Sequence, residues 1–185
     1  MLKFDFLLNS KKALADLKKK TFGGWPAKSG GLKIKKAFDI KHNRARFAAY
    51  DFDSQKEVRL RIYVAHHEKL EDVSAIHVEV LAEEEWRKYL QLGRPAFVGV
   101  WNEELKLAGI QADTPVTGKM RQALERQLGH VRDHPGEVYI TFMPRGVGLT
   151  ALTQNERHLT QARRRFMLLG QTLAGMQVWD VSRCL

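Results

Sequence analysis

The residues best placed to do chemistry lie between Glu137 and Arg157, EVYITFMPRGVGLTALTQNER. Gly146, Gly148 and Ala151 match G-x-G-x-x-A, with an apolar run before them and a helical pattern after. In that context a turn can present backbone N–H groups to a phosphate, and the chemistry would be dinucleotide binding. A dinucleotide site also needs an acid about 20 residues further on, at the end of a second strand, to hold the ribose hydroxyls. From Phe166 to Gly170 there is no acid and no strand pattern. Pro144 and Arg145 lengthen the turn, and no Gly-Lys-Ser/Thr closes a P-loop. Gly146 and Gly148 are therefore expected to let the chain leave a buried strand sharply.

The remaining reactive side chains form no set. His130 and His134 stand four apart and could face one metal, but no third ligand has suitable spacing and Pro135 ends the helix. His66 and His67 point to opposite faces of a strand end, where a solvated pair is expected. Glu83, Glu84 and Glu85 are adjacent, so they do not converge as acid and base; they suit the first turn of a helix. Arg163, Arg164 and Arg165 spread around a helix as a solvated or ion-paired face. Cys184 has no neighbouring base to activate it. Ser10, Ser29, Ser54, Ser74 and Ser182 all lie outside any G-x-S-x-G. These residues supply no catalytic constellation, no cofactor site and no metal site.

The elements that carry these residues are legible from periodicity. Leu7, Leu14 and Leu17 share a face of a short amphipathic helix over Leu7–Phe22, and GGWPAKSGG follows as a loop. RFAAYDFDS and EVRLRIYVAHH alternate about a polar SQKE turn, with Val58, Leu60, Ile62 and Val64 against Glu57, Arg59, Arg61 and Tyr63, which predicts an antiparallel hairpin with one wet face. AIHVEVLA is a strand, and EEEWRKYLQLG begins a helix behind it. PAFVGVW is expected as a short strand, and GKMRQALERQLGHVR as a helix with Met120, Leu124 and Leu128 at spacing four. EVYITFMP lacks polar alternation, so it is expected to be buried on both faces and parallel to its neighbours. Asn155–Leu185 reads as helix, divided at Gly170 and Gly175. The order describes an α/β layer sheet with an antiparallel edge and helical crossovers.

Charge is distributed unevenly. Residues 1–46 hold thirteen Lys and Arg against three Asp, which accounts for the whole net charge of +10; residues 47–185 hold eighteen of each sign. A basic lead-in can steer a protein to polyanions, but it reads first as a solvated helix and linker. No stretch approaches the roughly 20 apolar residues of a membrane helix. The opening MLKFDFLLNSKK is too short and interrupted for a signal peptide, so a soluble chain is expected. One cysteine excludes an internal disulfide.

Three stretches resemble the first half of an α/β-hydrolase domain, and most of all bacterial esterases of the acetyl xylan esterase and dienelactone hydrolase type. FAAYDFDSQKEVRLRIYVA, Phe47–Ala65, resembles the opening hairpin. TFMPRGVGLTALTQNERHLTQARRRFMLLGQTLAGM, Thr141–Met176, is similar to the strand, Arg-Gly turn and long helix pair after the fourth strand. VWDVSRCL, Val178–Leu185, is similar to the helix before the nucleophile strand. The resemblance covers roughly Lys36–Leu185, with residues 1–35 as a basic helix and linker and 36–185 as the amino-terminal half of the domain.

That resemblance implies that Pro144–Gly148 leaves a central strand at the carboxyl edge of the sheet, with Arg145, Gly146 and Gly148 shaping the rim of an ester pocket. It places the first oxyanion-hole loop near Leu81–Glu83, which contains no glycine. It also implies a Ser nucleophile on G-x-S-x-G with Asp/Glu and His later in the chain. No such elbow occurs in these 185 residues. The expectation is an incomplete carboxyl-ester hydrolase, inactive alone, whose parent acts on an acylated carbohydrate or small ester. Self-association through an uncovered sheet edge is a further expected property. The alternatives are a non-catalytic interaction domain of the same fold, or a nucleic-acid-binding module through residues 1–46.

Overall fold

Strand begins earlier than the alternating run from Arg46. In the computed structural model, which describes Lys12, Ala15, Asp16, Lys19, Lys20, Trp25, Pro26 and residues 30–97, 99–111, 113, 115–152 and 155–185, β1 spans Lys35–His42. Its lysines disguise it, because only Phe38 and Ile40 are apolar and directed at the core. Asn43 and Arg44, with φ of 49° and 66°, form the two-residue turn into β2 (Ala45–Gln55). Positive φ at both turn residues matches the right-handed twist of the flanking strands. Strand β3 (Val58–His67) completes an antiparallel meander. The expected helix over Leu7–Phe22 lies largely outside the described residues.

The sheet continues through β4 (Ala75–Val80) and β5 (Glu137–Phe142) in the order β1-β2-β3-β5-β4. Between β4 and β5 run α1 (Glu83–Phe97), α2 (Asn102–Leu107) and α3 (Gly118–Asp133). This crossover returns the chain parallel to β4, and β5 then fills the place between β3 and β4. The expected strand at EVYITFMP therefore needs correction: it is parallel to β4 but antiparallel to β3. Its two neighbours run in opposite directions, which local apolarity cannot reveal.

Register sorts the side chains. Phe47, Ala49 and Asp51 of β2 stand opposite Ala65, Tyr63 and Arg61 of β3, and Tyr63 and Ala65 stand opposite Thr141 and Tyr139 of β5. On this face Trp86, Leu90 and Phe97 of α1 are at most 2% exposed, as are Trp101 and Leu105 around α2. Leu124, Leu128 and Val131 of α3 form a second buried cluster with Ala45. Their helical spacing makes one apolar stripe per helix, and each fully buried Leu contributes about 1.5–3 kcal/mol. The hairpin face expected to be wet is this face: Tyr63 is buried, and Arg61 is covered by Glu104 of α2.

The described residues of PAFVGVW form no strand. Pro95–Phe97 finish α1, and Trp101 starts α2, so that both aromatic rings enter the core. The chain divides into two compact units, Gly30–Ala151 with Cys184, and Met1–Ser29 with Leu152–Arg183 and Leu185. In the latter, α4 (Glu156–Leu168) is capped by Asn155 and α5 (Leu173–Cys184) by Thr172. Gly170, with φ of 68°, separates them as expected. Gly175 instead lies inside α5, where its N–H meets the Thr172 hydroxyl and its carbonyl accepts the Trp25 indole at 2.8 Å.

Candidate functional site

The turn that opened the question closes on itself. Gly146 and Gly148 have φ of 84° and 60°, so both need the left-handed conformation that glycine adopts freely. Gly146 N–H donates to the Thr150 hydroxyl at 3.2 Å, and Gly148 N–H donates to a Glu83 carboxylate oxygen at 2.9 Å. Val147, Thr150 and Ala151 N–H groups are bound within the turn. A phosphate would therefore find the donors taken and a carboxylate beside them. A Cβ on Gly148 would lie 3.2 Å from the Trp86 ring, so the turn also packs directly on α1. Arg145 is buried and donates to Gln55 at 3.2 Å.

A cavity of about 280 Å³ lies between the helix-facing side of the sheet and helices α1 and α3. Phe47, Phe97, Trp101 and Tyr89 give it an aromatic floor; His77, Glu79, His130, Tyr139 and Thr141 supply polar groups. Parallel register sets His77 of β4 opposite Tyr139 of β5, and the two rings stack at 4.9 Å and 10°. His77 Nε2 lies 2.8 Å from Glu137, and the Tyr139 hydroxyl donates to the same carboxylate. His130 packs 5.4 Å from Tyr139 and 4.4 Å from His134.

This arrangement sets the acid–base character of the cavity. The Tyr139 hydrogen bond, helped by His77 and opposed by burial, holds the Glu137 carboxyl below its ordinary value. Burial and then Glu137 push the Tyr139 phenol up to about 12, so it acts as a donor and not as a nucleophile. Burial likewise raises Tyr89. Glu137 and His77 could orient and accept a proton, but among the described residues no serine or cysteine lines the cavity. Arg145, Gly146 and Gly148 do not line it either; they sit beyond the carboxyl end of β5.

The pH response follows from Glu137. Its contribution to stability is complete above the ordinary carboxyl value of 4.5 and is lost as pH falls through the lower folded value. Asp39, held well below the carboxylate range by Arg46 and Lys36, acts in the same direction. Glu137→Gln should flatten, without abolishing, the loss of melting temperature between about pH 5 and pH 2. Equal acid slopes for the variant and the parent would show that the pairing is not coupled to folding.

Of the other sequence candidates, His130 and His134 meet at 4.4 Å, and the rest stay apart. His134 follows the end of α3, and its Nδ1–H donates to the His130 carbonyl at 2.8 Å. Among the described residues no group of three His, Cys, Asp or Glu is arranged to hold a metal. His67 is buried and accepts the Lys69 N–H, contrary to the solvated pair expected at the strand end. Glu83 holds the Gly148 turn, Glu85 accepts the Ala82 N–H, and Glu84 pairs with Lys88. Arg163 pairs with Glu156 on the exposed side of α4. Burial raises the Cys184 thiol to about 11, which keeps it protonated at neutral pH.

No family model matches the sequence, and neither does any curated protein. The fold is similar to the crystal structure of a candidate acetyl xylan esterase from Bacteroides fragilis, with a TM-score of 0.55 and 12% identity. The likeness covers 94% of this chain and 41% of that one. Together with the topology it shows the fold class: α/β, with a mixed five-stranded sheet and helices. Among the described residues no helix is long and apolar enough to cross a membrane.

Proposed function

We propose that these residues form the amino-terminal part of a carboxyl-ester hydrolase of the acetyl xylan esterase type, with 1–35 as a basic lead-in and 36–185 as the first half of the catalytic domain. The span of the likeness carries this reading: nearly the whole chain corresponds to two fifths of an esterase-like structure. The lack of G-x-S-x-G in the 185 residues agrees with it. In the proposal a Ser outside these residues attacks the ester carbonyl, a His takes its proton and a carboxylate orients the His. Pro144–Gly148 shapes the pocket rim through Arg145, Gly146 and Gly148, held by Glu83 and by Trp86 beneath. The substrate is an acyl group on a carbohydrate or a small ester.

Among the described residues β4 has no strand on its outer side, and Ile76 and Val80 are 60% and 43% exposed there. That edge is where further chain, or a second copy, would pair. The test of function is hydrolysis of p-nitrophenyl acetate by the purified 185-residue chain. Turnover should equal that of a boiled control; sustained turnover above it would contradict the proposal.

A further inference from the structure

Arg94 of α1 is 2% exposed, yet among the described residues it has no carboxylate partner. Its Nη1 donates to the Gln111 carbonyl at 2.8 Å and its Nη2 to the Pro115 carbonyl at 3.3 Å, while Nε meets no acceptor. Two neutral carbonyls do not offset a buried positive charge, which is costly without a counter-ion. Arg94 forms part of the wall of a second cleft, about 780 Å³, between α1, the segment after α2 and the start of α3. Lys88 and Lys119 also line it, and among the described residues no acid does; Lys88 keeps an exposed partner, Glu84, at 3.6 Å.

The start of α3 points the same way. Thr117 caps only the Met120 N–H, and the first turn contains Lys119 and no acid, whereas α1 begins with three glutamates. A helix start leaves N–H groups without intrahelical acceptors and favours negative charge, so Lys119 there is electrostatically misplaced unless an anion joins it. The cleft is much larger than a bare oxyanion needs. Leu92, Ile110 and Met120 give the rest of it an apolar lining.

We propose that this cleft binds a small organic phosphate monoester. The phosphoryl group, near −2 at neutral pH, lies among Arg94, Lys88, Lys119 and the start of α3, and the organic part rests on Leu92, Ile110 and Met120. The site is separate from the His77–Tyr139 cavity and does not depend on ester hydrolysis.

Thermal melting of the full chain at fixed ionic strength tests this with phenyl phosphate, inorganic phosphate and benzoate, each at about 10 mM. Phenyl phosphate should raise the melting temperature by several degrees, inorganic phosphate by less, and benzoate by little. Lys119→Glu, at an exposed position, and Arg94→Met should each abolish the phenyl phosphate shift. Lys56→Glu, on the hairpin turn, should retain it. Absence of a phenyl phosphate shift, or its survival in Lys119→Glu, overturns the proposal whether or not Arg94→Met folds. A benzoate shift as large as that of phenyl phosphate overturns the phosphoryl assignment, and a larger shift with inorganic phosphate overturns the ester assignment.

Discussion

Trp101→Ala should destabilise the protein by about 3–5 kcal/mol, the range for removing a large aromatic side chain from a packed core. Trp101 is 1% exposed and connects α1, α2 and the sheet. Its ring lies 4.6 Å from Phe97, 5.3 Å from Tyr89 and 6.0 Å from Tyr63. The close approach depends on Gly93: a Cβ there would lie 2.5 Å from two carbons of the indole. The indole thus occupies the space a side chain on α1 would need, and no neighbour can fill the void without moving a helix. A typical domain is stable by only 5–15 kcal/mol, so the variant should unfold at much lower denaturant. A urea-melt loss below about 1 kcal/mol would show that Trp101 is not at the centre of the core.

The second large effect concerns charge. Glu104 is 1% exposed and accepts Arg61 Nη1 at 2.7 Å and the Tyr63 hydroxyl at 2.9 Å. Arg61 also donates Nε to Asp51 at 2.6 Å. Burial works against the Arg61 charge, but hydrogen bonds to Asp51 and Glu104 outweigh it and keep the guanidinium firmly protonated. Burial, followed by Glu104, raises the Tyr63 phenol well above its ordinary value, so it remains a donor. Glu104→Ala leaves Arg61 without one of its two carboxylate partners in a largely desolvated place. Breaking a buried pair outright costs about 3–5 kcal/mol, and because Asp51 still pairs Arg61 the loss should lie at the low end, about 3 kcal/mol. Tyr63→Phe removes one neutral donor and should cost only about 0.5–1.5 kcal/mol. Equal losses from the two substitutions in chemical denaturation would contradict the assignment of Glu104 as the counter-charge.

Local pattern carried much of the fold. The β2–β3 hairpin, β4, α1 and α3 follow from alternation, first-turn glutamates and the inward Leu124 and Leu128. What failed were long-range pairings. Arg61 and Tyr63 look like a wet strand face until Glu104, some forty residues later, returns to cover them. The His77–Glu137–Tyr139 cluster exists only because β4 and β5 are in parallel register, and nothing near His77 announces that partner. Strand β1 was hidden by lysines, and Trp101 by an apolar run that helix and strand could share.

The glycine turn shows both limits. Sharp exit from β5 was readable, because glycines with positive φ serve that purpose. The occupation of the turn's donors was only partly readable: the missing ribose acid is visible in the sequence, but capture of Gly148 N–H by Glu83 is a tertiary event.

We propose above that these residues belong to an ester hydrolase whose nucleophile lies outside them. Fluorophosphonate treatment followed by intact-mass measurement tests it directly, because activated serines form a stable adduct with that reagent. The account predicts an unchanged mass for the 185-residue chain; stoichiometric addition at any of its serines would contradict it.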